Sequence, residues 1–213
     1  MNHRENTGLN YDWLLLVKKL QSIARAGLTY SENPYDINRY EQLQELAAEI
    51  LHHHTGTDMD KITDLIRSEK GYLTPKVDVR GVIFRENEIL LVREKIDGNW
   101  SVPGGWADVG LTPFEVAEKE VWEETGLTAK AIRILAVLDK KCHDHPPDLY
   151  HVYKLFILCK ETGGALGGGL ETIEARFYTK DELPPLSKNR ITREQIELLF
   201  EYKNNPDKET ICD

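Results

Sequence analysis

Glu120, Glu123 and Glu124 stand three and four residues apart, so a helix over this stretch gathers three carboxylates on one side of the chain. Like charges at these spacings repel by about 0.2–0.5 kcal/mol per pair in an isolated helix. A hard divalent cation offsets that repulsion, because Mg²⁺ prefers oxygen ligands and bridges carboxylates to substrate phosphates. Taken alone, three glutamates are also what a solvated helix face looks like.

The sequence around them marks out a short helix. Pro103-Gly104-Gly105 breaks a strand, Thr112 suits the N-cap, Pro113 the first helical position, and Glu115 completes a capping box. Gly126 suits the left-handed position that ends a helix. Phe114, Ala117 and Val121 form an apolar face that can pack on a sheet.

From Gly105 through Lys119-Glu120-Val121, Glu123-Glu124 and Gly126-Leu127, the stretch resembles the Nudix box, G-x5-E-x7-R-E-U-x-E-E-x-G-U with U aliphatic. The general layout of residues 74 to 185 is similar to the Nudix hydrolase family. The resemblance implies an α+β fold, an α/β/α sandwich with a mixed sheet preceded by a small helical N-terminal domain. It implies hydrolysis of a nucleoside diphosphate linked to a moiety X, giving a nucleoside monophosphate and X-phosphate. It also implies Mg²⁺ or Mn²⁺ at Glu120, Glu123 and Glu124, helped by the backbone of Gly105, with one of these glutamates as base. Glu171 or Glu174 resembles a later carboxylate that some members add, and a solvated loop acid is the equal alternative. Ala26-Gly27-Leu28-Thr29-Tyr30 and Asn33-Pro34-Tyr35-Asp36 resemble the helical domain before bacterial members acting on CDP-choline, UDP-X or ADP-ribose.

Two positions depart from the box. Leu111 replaces its first glutamate and Lys119 its arginine, which keeps a cation but loses the bidentate fork. Leu111 and Val116 are placed for a hydrophobic staple, and Lys119 is placed to pair with Glu115. The alternative to a working enzyme is a weakened nucleotide-binding sensor or scaffold.

The elements that must hold this site fall in two parts, a helical domain over residues 1–72 and a mixed domain over 73–213. Leu9, Trp13, Leu16, Leu20 and Ile23 form one helical stripe ending near Gly27, which suggests a homodimer through this helix. Ile37, Tyr40, Leu43, Ala47 and Ile50 form a second stripe, and a shorter helix follows around Asp60 to Arg67. Beyond Thr74, the β-rich runs Val77–Phe84 and Ile89–Val92 read as a hairpin. Further strands are expected at Ala131–Asp139, Leu149–Cys159 and Glu174–Tyr178, then a helix at Thr192–Tyr202. Gly163 to Gly169 reads as a flexible loop and lacks the lysine of a P-loop.

Several other residues carry candidate substrate chemistry. Arg80 and Arg93 lie in β-runs that either point them into a cleft, to grip phosphate, or leave them as exposed strand charges. His151, Tyr153 and Lys154, beside Tyr150, offer aromatic and basic groups on one strand for stacking a base or holding a cation, though core packing explains the tyrosines equally. Cys142, His143 and His145 lack the paired spacing of a structural zinc site and read as a loop. His52-His53-His54 suits the C-terminal turn of a helix.

Composition limits the partners. Across 213 residues, 27 basic and 36 acidic side chains give a formal charge of −9, which disfavours a broad nucleic-acid surface, and an anionic substrate such as the small nucleotide that the resemblance implies needs local basic groups or a metal. No apolar run reaches the roughly 20 residues of a membrane span. Without a secretory signal, and with three scattered cysteines, a cytoplasmic location is expected.

Overall fold

The computed structural model describes residues 13–68 and 71–213, and the chain divides into two compact units, Met1–Thr74 and Pro75–Asp213. The first holds helices α1 (Trp13–Tyr30), α2 (Pro34–Thr55) and α3 (Met59–Ser68). Asn33 caps α2, accepting from the Tyr35 N–H at 2.9 Å, Pro34 opens the helix, and Gly56 at φ 66 closes it. Val17, Ala47, Ala48, Leu51 and Ile62 make a small core, with Trp13 and Leu20 packed on it.

The stripe expected on α1 needs correction. Leu16 and Ile23 are 44% and 57% exposed, whereas Val17 and Ala24 are buried, so the packed face is turned by about one residue. Leu9 lies outside the described residues. Gly27 does not stop the helix. It brings α1 against Tyr40 of α2, whose ring would lie 2.3 Å from an added Cβ. His52, His53 and His54 occupy the last turn of α2.

The second unit contains β1 (Lys76–Val82), β2 (Phe84–Arg85), β3 (Glu88–Glu94), β4 (Trp100–Ser101), β5 (Gly104–Trp106), α4 (Pro113–Thr125), β6 (Leu127–Asp139), β7 (Val152–Gly164), β8 (Thr172–Thr179), α5 (Arg193–Asn204) and β9 (Ile211–Cys212). A five-stranded mixed sheet runs β5-β1-β7-β6-β9, with β1 and β7 parallel. A four-stranded sheet joins β2, β3, β4 and β8. The run expected as one hairpin arm is therefore shared between sheets. β1 lies in the first, while Phe84 pairs with Ile89 in the second, and the chain turns at Glu86 with φ 48.

Alternation along β1 sends successive side chains to two cores. Val79 faces α4, packing with Ala117, Val121 and Ile157. Val82 faces the second sheet and α5, packing with Leu91, Phe156, Ile196 and Phe200. Sequence patterning missed β5 and β9, which are too short to show a period.

Candidate active site

α4 begins and ends where its sequence dictates. Thr112 Oγ1 accepts from the Glu115 N–H, the Glu115 carboxylate accepts from the Thr112 N–H at 2.8 Å, and Gly126 adopts φ 74. With Val116, Ala117 and Val121 buried on the sheet, the helix cannot roll, and this fixes where its glutamates point.

The glutamates separate in environment. Glu124 is 6% exposed, and its Oε2 accepts from the Gly104 N–H at 2.9 Å. Glu120 lies against Gly105, where an added Cβ would meet its Oε1 at 3.1 Å. Glu123 is exposed and bonds Lys119 Nζ at 2.8 Å. Gly104 is required in the turn because its φ is +147 and an added Cβ would sit 2.0 Å from Val79 O.

Burial dominates the electrostatics. Desolvation pushes the Glu124 carboxyl up to about 8, against the lowering pull of Arg80 and the Gly104 N–H, with Glu94 and Glu120 adding repulsion. Desolvation likewise raises Glu120, opposed mainly by Lys119. Two desolvated carboxylates therefore face the Gly104-Gly105 turn.

Lys119 does not pair with Glu115, which is committed to the N-cap. Lys119 Nζ instead meets Glu123 at 2.8 Å, Asp108 at 3.2 Å and Glu120 at 3.8 Å. Asp108 thus joins loop to helix where the box would use its first glutamate. Leu111 is 39% exposed beside a fully buried Val116.

Nor does the glycine-rich segment hang free. The Gly167 N–H donates to Thr125 O at 2.8 Å, and Thr172 Oγ1 donates to Glu124 O at 2.8 Å. At Gly169 an added Cβ would lie 2.1 Å from Glu123 O. Gly169→Ala is expected to cost about 1–3 kcal/mol through overpacking. A lowered thermal midpoint together with reduced turnover would register it.

Arg80 is neither an open phosphate grip nor an exposed strand charge. It is 5% exposed, donating to Asp78 Oδ1 from Nε at 2.9 Å and to Val102 O from Nη1 at 3.1 Å. Lys154 is 1% exposed and bonds Asp78 Oδ2. Both form a buried charge cluster under the turn. Arg93 donates to Gly98 O at 2.9 Å and approaches Glu174 at 3.5 Å; Glu174 also pairs with Arg176 at 2.9 Å. Glu171 is exposed, its carbonyl accepting from the Lys95 N–H at 3.0 Å. His151 bonds Asp139 at 2.9 Å and stands edge-on to Tyr153 at 5.2 Å. His143 and His145 are tied to Asp213 and Lys188 O.

Residues 74–199 match the NUDIX domain, and residues 11–66 match a Nudix_N domain described as UDP-X-like, an N-terminal oligomerisation domain. The chain belongs to the Nudix hydrolase family. It is 50% identical over 201 residues to the putative ADP-ribose pyrophosphatase YjhB of Bacillus subtilis, covering 94% of this chain and 97% of that protein. A crystal structure of an ADP-ribose pyrophosphatase from Streptococcus suis is 44% identical with a TM-score of 0.61, covering 66% of this chain and all, 100%, of that one. A crystal structure of UDP-X diphosphatase is 34% identical with a TM-score of 0.62, covering 94% and 98%.

Nudix hydrolases use divalent metal ions, and the donor set of this Nudix pyrophosphohydrolase fits one. Among the described residues, no three His, Cys, Asp or Glu side chains are already arranged around one point. Yet Glu124 is a buried carboxylate whose ionisation lacks a full counter-charge, and Glu120 faces the same turn. Hard oxygen donors in that state are what a divalent cation stabilises.

Four residues around this turn were not singled out by the sequence. Asp108 gave no signal, since a loop aspartate is ordinary. Glu94, 2% exposed, accepts from Ser101 Oγ at 2.6 Å and forms an ion pair with Arg190 Nε at 2.9 Å, a partner remote in sequence. Asp78 needed the β1–β7 pairing to meet Lys154. Trp106, one residue past Gly105, is 52% exposed, and its place after the glycines was the available signal.

Proposed function

We propose that this Nudix enzyme hydrolyses the pyrophosphate bond of an X-linked nucleoside diphosphate, releasing a nucleoside monophosphate and X-phosphate. The observation that carries this reading is the pair Glu120 and Glu124, desolvated against the Gly104-Gly105 turn. The names of the relatives, ADP-ribose pyrophosphatase and UDP-X diphosphatase, support the substrate class, with ADP-ribose first and UDP-X or CDP-choline following.

Glu120, Glu124 and the Gly105 backbone would hold Mg²⁺ or Mn²⁺, with Glu123 joining on release from Lys119. Bound there, the ion supplies neutralisation of the diphosphate and an acidified water. Glu124 is oriented by the Gly104 N–H, and Glu123 by Lys119, whereas Glu120 has only the 3.8 Å approach of Lys119. Glu120 is thus best placed to take the proton of the attacking water. Arg80 holds the turn through Val102 O, and its charge favours the ionised carboxylates.

The Asp108–Lys119 pair favours a working enzyme over a weakened sensor. Both partners are partly exposed, so the pair contributes about 0.2–1 kcal/mol. Leu111→Glu is accordingly expected to change kcat/KM by less than about fivefold, and to rescue Asp108→Asn. A gain of several orders of magnitude would instead mark the native chain as crippled. The substrate assignment is tested by incubating the chain and Mg²⁺ or Mn²⁺ with ADP-ribose, UDP-sugars and CDP-choline, and resolving nucleoside monophosphate. Absence of product from every one would refute it.

A homodimer through the N-terminal unit follows from exposed Leu16 and Ile23 and from the oligomerisation domain that the segment matches. Light scattering distinguishes dimer from monomer. The three free cysteines suit a reducing cytoplasm, and among the described residues no helix is long and apolar enough to cross a membrane.

A further inference from the structure

β5 is an edge strand, and the residue after the glycine turn on it is a tryptophan. In the β5–β1 register Trp106 lies opposite Asp78, and in the β1–β7 register Asp78 lies opposite Lys154 and Lys76 opposite Val152. Paired residues share a sheet face, so Trp106, Lys76, Asp78, Arg80 and Lys154 belong to one face. Along that face burial falls steadily. Asp78, Arg80 and Lys154 are 4%, 5% and 1% exposed, Lys76 is half-buried, and Trp106 is 52% exposed.

Tyr150 completes the outer end. Its ring stands edge-on to Trp106, centroids 6.5 Å apart at 80°, and Lys76 Nζ lies 4.6 Å from its centroid. The Lys76 N–H donates to His151 O at 2.9 Å, which ties the segment carrying Tyr150 to β1. Two rings therefore form a corner that starts one residue from Gly105, where the Glu120 carboxylate rests.

Neither ring is among the residues of the two cores. The ligand for such a corner must be flat, because ring stacking rewards a π-face irrespective of its substituents. It must also lack a positive charge. Lys76 Nζ already lies over the Tyr150 ring, the position an ammonium group would take, so a quaternary ammonium X-group is excluded from that face. A neutral nucleobase, with its phosphates toward the turn, meets both conditions.

We propose that Trp106 and Tyr150 form the nucleobase subsite, anchoring the nucleoside half of the substrate on the β5 side of the turn and leaving X to project away. This rests on the nucleoside-diphosphate reading above. Because stacking tolerates any base, the enzyme discriminates weakly among adenine, uracil and cytosine there.

Calorimetry on the full-length chain tests this with AMP, UMP, ribose 5-phosphate and choline as probes, on the native protein, Trp106→Ala, Trp106→Phe and Tyr150→Leu. Both nucleotides are expected to bind at least about tenfold more weakly to Trp106→Ala, with Trp106→Phe restoring most of the loss. Ribose 5-phosphate is expected to bind all four proteins alike. Tyr150→Leu should repeat the nucleotide-selective loss, which keeps the test decisive should Trp106→Ala not fold. Unchanged nucleotide affinity, equal weakening of AMP and ribose 5-phosphate, or choline binding that depends on Trp106 would each overturn the subsite. If the native chain hydrolyses nucleoside diphosphates while Trp106→Ala and Tyr150→Leu bind AMP normally, the subsite alone fails. If the native chain neither binds nucleotides nor hydrolyses them, the functional reading fails with it.

Discussion

Glu124→Gln is expected to lower kcat/KM by on the order of 10²–10⁴-fold at saturating metal, the range for removing a charged group that acts on the transition state. The amide is nearly isosteric, and its oxygen can still accept from the Gly104 N–H, so the turn survives. What disappears is the negative charge in a desolvated position, where water cannot replace it. Glu123→Gln is expected to cost far less, because that carboxylate is exposed and already neutralised by Lys119. Steady-state rates across a Mn²⁺ titration separate the two, since Glu124→Gln should also need more metal for half its maximal rate. Equal, small losses in both variants would mean that burial of Glu124 is structural.

The metal-free chain is expected to lose stability as pH rises toward 8. Glu124 titrates at about 8 when folded against an ordinary 4.5, so between those values the native state holds a proton that the unfolded chain has released. Stability due to this group is complete below the unfolded value and falls as pH climbs through the folded one. His145 acts in the opposite sense at lower pH. Burial lowers it to about 4 from 6.5, so the protein gains stability across that interval. The clear window is therefore pH 6.5 to 8, where the loss is about 2 kcal/mol at 1.36 kcal/mol per pH unit. Above 8 the trend reverses, because Lys154, pushed down to about 8 from 10.5 by burial, is then neutral in the native state only. Thermal melts in a chelator should show a shallow minimum near pH 8. Mg²⁺ or Mn²⁺ should fill it, and Glu124→Gln should abolish its falling limb.

What was legible in the sequence was local. The cap at Thr112, the stop at Gly126 and the apolar face of Ala117 and Val121 depend on contacts within a few residues, so spacing alone revealed them. The same holds for the clustering of Glu120, Glu123 and Glu124 on one helix. Lys119 misled because helix spacing offered two acids four residues away, and Glu115 was already engaged by the cap. Arg80 and Lys154 misled for a different reason. A cation in a β-run reads as exposed or cleft-facing until a parallel strand 76 positions away supplies Lys154 to share Asp78. The glycine-rich loop concealed its role likewise, since nothing local says that Gly169 lies against the backbone of Glu123. α1 shows the limit of periodicity itself. Leu16 and Ile23 fit a stripe, but the small Ala24 and Val17 are what this unit buries.

Phosphorus NMR on ADP-ribose turnover in ¹⁸O-enriched water, with Mg²⁺ or Mn²⁺ and with Glu124→Gln alongside, bears most directly on hydrolysis at the Glu120–Glu124 turn. The native enzyme should convert the diphosphate resonances into two monoester resonances, one of them shifted by ¹⁸O bonded to phosphorus, while Glu124→Gln leaves the diphosphate essentially intact over the same time. Persistence of the diphosphate with the native enzyme, monoesters free of ¹⁸O, or equal conversion by Glu124→Gln would contradict it.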